Sequence, residues 1–250
     1  MVRISLHTVQ VGTYRVRYQT VGEGEPIVLV HGLSGSTLWW RRNVQELAQH
    51  YKVYLVDLPG FGTASRKHGH FVLKQAGDWL LAWMDAIGLK QTHLIGHSMG
   101  GYICMWIAAH RPDVVLRLVL VDPAFKAQTR NVLGYAVPLL GAARYLTPRF
   151  FPILAYDSLR AGPITLLKAT RDLITVDMNE EMHMITKPVL LVWGENDTLV
   201  PPSLGHMLRE ELPNARLLTL QHAAHVAMFD QPQKFNAAVD AFLRGEVVGD

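Results

Sequence analysis

Short apolar runs recur along the chain at Ile27-Val28-Leu29-Val30, Val53-Tyr54-Leu55-Val56, Thr92-His93-Leu94-Ile95, Leu116 to Val121 and Pro188 to Trp193. A strand with no polar alternation is buried on both faces, which is the condition of a central strand in a parallel sheet. Helical patterns fall between them: Trp39 to Leu47, Val72 to Ile87, Tyr102 to His110, Ser203 to Glu211 and Gln233 to Leu243. Strand and helix in alternation predict βαβ crossovers, and so an α/β fold whose mostly parallel sheet is flanked by helices. Two additions complete the sheet. His7 to Val21 alternates apolar and polar residues and predicts an antiparallel pair at the edge, and Ala215 to Leu220 adds a late strand.

The pattern lapses between Pro123 and about Ile185, where helical stretches (Val132 to Leu146, Phe150 to Leu159, Ile164 to Ile174) are broken by prolines at 138, 148, 152 and 163. We therefore expect a core of residues 1–123 and 186–250 with an inserted helical cap at 124–185, placed to act as a lid. From Lys126 to Arg171 there are seven Lys or Arg and one acid, Asp157, and a solvated basic face is preferred there over a surface for anionic groups. Across the whole chain the excess is small, 24 basic against 21 acidic residues, and it is scattered, which argues against a nucleic-acid partner. No apolar run reaches the roughly 20 residues of a membrane span, and the N-terminus lacks a signal core, so a cytoplasmic protein without stable membrane insertion is expected. The single cysteine, Cys104, excludes an internal disulfide and reads as a small buried residue.

The stretch Gly96-His97-Ser98-Met99-Gly100-Gly101 lies between the Thr92–Ile95 strand and the following helix. A serine on a sharp strand-to-helix turn is held in a strained backbone conformation that pushes its hydroxyl outward. Glycines two residues either side fit because a Cβ there would collide with the neighbouring strand or helix. Such a serine needs a base in hydrogen-bond reach and a carboxylate to orient that base.

Catalytic groups gather beyond the carboxyl ends of parallel strands, which narrows the candidates. For the acid, Asp197 follows the Pro188–Trp193 strand and Asp122 is its rival, while Asp57 before Leu-Pro-Gly reads as a turn residue. For the base, His225 follows the last strand, with His222 of the same loop as runner-up. His31 and His97 read as braces of nearby turns. The backbone N–H groups of Met99 and Leu33 are the expected oxyanion donors. No spacing suggests a metal site, and no cofactor is expected.

Together His31-Gly32, Asp57-Leu58-Pro59-Gly60-Phe61-Gly62, Gly96 to Gly101, Gly194-Glu195-Asn196-Asp197 and His225 resemble the α/β-hydrolase superfamily, most closely its small-lid serine carboxylesterases. The resemblance implies an eight-stranded sheet, a cap between the sixth and seventh strands, and Ser98, Asp197 and His225 as the triad. A small-molecule ester is the expected substrate; Tyr135, Leu139, Leu140, Tyr145, Phe150, Phe151 and Leu154 of the cap are candidates either to line an apolar pocket suited to short or medium acyl chains or to pack the cap onto the core. A carbon–carbon bond hydrolase, an acyltransferase and a non-catalytic ligand-binding member are the alternatives. The oligomeric state is left open.

Overall fold

The structure is a computed structural model that describes residues 2–64, 71–127, 134 and 136–250. The chain opens with a hairpin of β1 (Ile4–Val11) and β2 (Tyr14–Val21), paired antiparallel from Ile4 opposite Val21 to Val11 opposite Tyr14. Next come β3 (Glu25–Val30), a 3-10 turn at Thr37–Trp40, the short α1 (Val44–Leu47) and β4 (Tyr51–Val56). The helical pattern through Trp39 to Leu47 is therefore divided between a 3-10 turn and one α turn. There follow α2 (Leu73–Ala86), β5 (Thr92–His97), α3 (Met99–His110) and β6 (Val115–Val121).

Between β6 and β7 the chain leaves the sheet for α4 (Ala136–Tyr145), α5 (Phe151–Leu173) and α6 (Asn179–Met182). α5 breaks at Gly162 (φ 76°, ψ 159°), just before Pro163. Pro163 restricts the residue before it to extended backbone, and the positive φ suits glycine, so the break falls where the proline pattern places it. The chain returns through β7 (Val189–Gly194), α7 (Pro202–Glu211), β8 (Ala215–Leu220), α8 (Ala227–Asp230) and α9 (Pro232–Leu243).

The eight strands form one sheet in the order β1-β2-β4-β3-β5-β6-β7-β8. From β4 to β8 every neighbour is parallel, and the β1–β2 hairpin joins antiparallel to β4. One face buries Leu80, Trp83, Ile103, Met105 and Leu208 of α2, α3 and α7. The other buries Val44, Leu47, Phe235, Val239 and Phe242 of α1 and α9. This two-sided cover is why the central strands read as unbroken apolar runs.

The topology also sets the place of the site. β3 has β4 on one side and β5 on the other, so chain order reverses around it and the loops leaving β3 and β5 diverge. The crevice that opens there, beyond the carboxyl ends of the strands, is where ligands bind in open parallel sheets.

Candidate active site

Ser98 links β5 to α3 with φ 51° and ψ −114°, a conformation that non-glycine residues rarely adopt. The turn fits only because its flanks lack side chains. A Cβ on Gly96 would collide with the carbonyl of Gly100, and a Cβ on Gly100 with the carbonyl of Val30 in β3. The strain is held by three hydrogen bonds: the Ser98 N–H to the Val121 carbonyl (2.9 Å), and the N–H groups of Ala124 (3.0 Å) and Tyr102 (3.2 Å) to the Ser98 carbonyl. Packing over-determines the backbone, which is what allows such an outlier to persist.

The Ser98 Oγ lies 3.0 Å from His225 Nε2, and His225 Nδ1 lies 2.8 Å from Asp197 Oδ2. A carboxylate only accepts, so Nδ1 carries the ring proton and Nε2 presents its lone pair to the serine hydroxyl. The Asp197 side chain is fully buried, whereas that of His225 keeps 16 % exposure. The other oxygen of Asp197, Oδ1, accepts from the N–H groups of Leu199 (2.8 Å) and Val200 (3.0 Å), which fixes the carboxylate's orientation. His222 lies apart from this chain of bonds, exposed, with its N–H on Glu195.

Asp122, the rival acid, ends β6 at φ 43° and accepts from the Gly194 N–H (2.9 Å). Burial, and then the charge of Asp197, push its carboxyl well above the usual range, and its second oxygen is buried with no partner among the described residues. Asp57 accepts from the Thr63 N–H and hydroxyl, closing the turn after β4, and from the Thr37 N–H, so it also links that turn to the 3-10 turn after β3.

The loop after β3 is built to stay still. Gly32 O accepts from the Gly35 N–H (3.0 Å) across a tight turn with Ser34 at φ 61°. His31 Nε2 accepts from the Leu58 N–H (3.0 Å), so its Nδ1 bears the proton and donates to Gly32 O (2.9 Å). Burial lowers the basicity of His31, which keeps it in this neutral form. A Cβ on Gly32 would crowd both the His97 ring and Ser98 Cβ, so the loop meets the serine backbone-first. His97 donates from Nε2 to the His225 carbonyl (2.6 Å), and burial drives its basicity far down. Leu33 borders the same space as Ser98, and Met99, as the first residue of α3, has an N–H that its helix cannot satisfy.

Two carboxylates, one buried and one half-buried, tie the segment between β6 and β7 to this framework. Asp157 of α5 accepts from Ser36 Oγ (2.8 Å) and Trp39 Nε1 (3.0 Å), both in the loop and turn after β3. Its second oxygen is buried with no partner among the described residues, and burial pushes its carboxyl up to about 6. Asp230 accepts from the Thr147 hydroxyl, between α4 and α5, and from the Ala224 N–H (3.0 Å) next to His225. Burial raises its carboxyl too.

A cavity of about 510 Å³ extends from Ser98 and His225. Of the residues expected to line it, Leu139, Tyr145, Phe150, Phe151 and Leu154 do so. Leu140 does not border it; its side chain is 74 % exposed. Tyr135 lies outside the described residues. Trp39, Leu173, Val200 and Val226 complete the apolar wall from distant parts of the chain, and no local pattern marks them for that role. Cys104 is fully buried in α3, where burial pushes its thiol up and leaves it inert. Among the described residues, no group of three or more His, Cys, Asp or Glu side chains is placed to hold a metal ion.

Residues 25–160 match a family described as the alpha/beta hydrolase fold, and residues 162–247 one described as TAP-like protein. The chain is 30% identical to the pimeloyl-[acyl-carrier protein] methyl ester esterase of Aeromonas salmonicida, over 91% of this chain and 99% of that one. It is 29% identical to the dihydrolipoyllysine-residue acetyltransferase component of the acetoin cleaving system of Cupriavidus necator, over 92% of this chain and 67% of that one. Among solved structures it resembles a bacterial membrane phospholipase A, with a TM-score of 0.81 at 26% identity, over 97% of this chain and 86% of that one.

Proposed function

The chain belongs to the α/β-hydrolase fold family, and from that premise we propose that it is a serine hydrolase that cleaves carboxylic esters through an acyl-enzyme. The observation that carries this reading is the hydrogen-bonded line from Asp197 through His225 to Ser98. Ester hydrolysis as such is the chemistry of the Aeromonas relative; the residue roles are part of the proposal.

His225 Nε2 takes the Ser98 proton as Oγ attacks the ester carbonyl. Asp197 holds the imidazole in the required tautomer and stabilises the imidazolium that forms. The N–H groups of Leu33 and Met99 receive the oxyanion, a contribution whose loss costs on the order of 10²–10³ in turnover per donor. The tetrahedral intermediate collapses as His225 returns the proton to the leaving alkoxide, and the alcohol departs. Water then attacks the acyl-enzyme with His225 again as base, releasing the acid and restoring Ser98.

Residues 124–185 act in this scheme as a cap whose inner face receives the acyl group. The apolar wall around Leu139, Phe151 and Leu154 favours uncharged chains of short to medium length. The test is turnover of p-nitrophenyl esters from acetate to palmitate, with wild type beside Ser98→Ala. A chain-length optimum and a loss of about 10⁶ in kcat in the variant are expected. A folded wild type without turnover on any ester, or full turnover in Ser98→Ala, overturns the assignment.

A further inference from the structure

Of fifteen large apolar side chains left exposed among the described residues, eight lie on α4 and α5. The most exposed are Leu159 (81 %), Leu140 (74 %), Ile164 (66 %) and Phe151 (60 %). Cations are interleaved with them. Arg160 lies 5.3 Å from the centre of the Tyr156 ring and donates to its hydroxyl, and Arg144 lies 6.0 Å from that of Tyr145. Lys168 and Arg171 follow Ile164 and Leu167 at one-turn spacing, on the same side of the second half of α5. Of the two acids on α4 and α5, Asp157 is buried under Ser36 and Trp39, and Asp172, at the end of α5, is turned toward α2, where it accepts from the Leu73 N–H. A solvated basic face would carry polar residues between its cations; here leucines, isoleucine and aromatics stand between them.

We propose that the outer face of α4 and α5 docks on an anionic lipid bilayer. Apolar side chains that enter the headgroup boundary, set among cations that meet anionic headgroups, match that surface in both respects. A second copy of this chain fits poorly, because a two-fold contact through this face sets cations against cations. The attachment is peripheral, since among the described residues no helix is long and apolar enough to cross a membrane. Leu139, Tyr145 and Phe151 are both exposed and border the cavity, so its mouth opens within the docking face. An acyl chain can therefore pass from lipid to cavity without crossing water. Docking stands on the surface alone; the delivery of lipid acyl esters to Ser98 rests on the ester-hydrolysis reading.

The experiment is flotation with phosphatidylcholine vesicles, with and without phosphatidylglycerol, for wild type, Arg160→Glu/Lys168→Glu and Leu159→Ser/Ile164→Ser, beside turnover of soluble p-nitrophenyl acetate. Wild type is expected to float with the anionic vesicles and to be released by high salt. The charge-reversed pair is expected to bind about thirtyfold more weakly, at roughly 1 kcal/mol for each cation removed from the membrane-facing surface. The serine pair is expected to bind about tenfold more weakly, or weaker still. Equal flotation with neutral vesicles, or binding unchanged in both pairs, overturns the proposal. So do binding to soluble polyglutamate without vesicle binding, which points to an acidic protein, and dimerisation abolished by the serine pair, which points to a second copy. Vesicle binding with no ester turnover leaves docking in place and sinks the hydrolase reading; turnover equal in all three proteins without vesicle binding does the reverse.

Discussion

The turn at Ser98 and the helices α4 and α5 are held in opposite ways. Around Ser98 the chain leaves no room for a side chain: a Cβ on Gly96 or Gly100 would strike backbone carbonyls and one on Gly32 the His97 ring and Ser98 Cβ, and the strained φ is pinned by neighbouring strands. In α4 and α5 the contacts are made by side chains, many of them exposed, and the longer helix breaks at Gly162. The first region fixes atoms to within a hydrogen-bond length. The second supplies shape, and its ties to the first include Phe150 and Asp157, both buried, and the half-buried Thr147–Asp230 pair.

The sharpest way to break this contrast is on the rigid side. Asp197→Asn is expected to lower kcat by about 10⁴ with KM little changed, because an amide NH₂ facing His225 Nδ1 favours the wrong tautomer. Steady-state kinetics on a soluble ester reads it. A drop under tenfold would mean that the neighbouring buried acid Asp122 takes over, and the assignment of roles at the strand ends would have to be exchanged.

At the junction, Phe150 is 1 % exposed, with Trp39 and Phe229 both at 4.9 Å between ring centres. Phe150→Ala is expected to cost about 3–5 kcal/mol in denaturant unfolding. A cost below about 1 kcal/mol would show that α4 and α5 are not folded against the core as one cooperative unit.

Asp157 offers a gentler probe. Its carboxyl sits at about 6, above the usual 3.8, so between those values the folded protein keeps a proton that the unfolded chain has released. Stability from this group therefore declines as pH rises through that window and is flat above it, by at most about 3 kcal/mol. Asp157→Asn keeps an acceptor for Ser36 and Trp39 and removes the proton. Its unfolding free energy is expected to gain on wild type as pH rises from about 4 to 6, and a constant difference would rule out Asp157 as the titrating group. The smallest effect belongs to the rim: Tyr145→Ala is expected to change kcat/KM for the longest accepted ester about fivefold, roughly 1 kcal/mol, and to leave acetate unchanged.

The same contrast decides what could be read in the chain. The alternation of apolar runs and helices carries the α/β sheet, because burial on both faces is written residue by residue, and the glycines around Ser98 mark a turn only they permit. The choice between Asp197 and Asp122 is different in kind, since both end strands and only their orientation toward His225 separates them. On α4 the limit is plain. Leu139 and Leu140 are adjacent and chemically alike, yet one borders the cavity and the other faces outward, because the rotation of a helix about its axis is set by what it packs against. Asp157 was legible as a lone acid among cations; that its partner is Ser36, 121 residues earlier, was not.

That one bond bears on how such enzymes diversify. A division of labour in which the core owns the rate and the cap owns the choice of substrate would let caps be exchanged freely between relatives. Here a carboxylate from α5 anchors the loop that carries Leu33, so exchanging the segment between β6 and β7 imports or removes a strut of that loop. Chimeras that keep an aspartate facing Ser36 and Trp39 are the ones expected to change specificity at constant turnover. Those that lack it would be scored as having changed substrate preference when the fault lies in an unbraced loop.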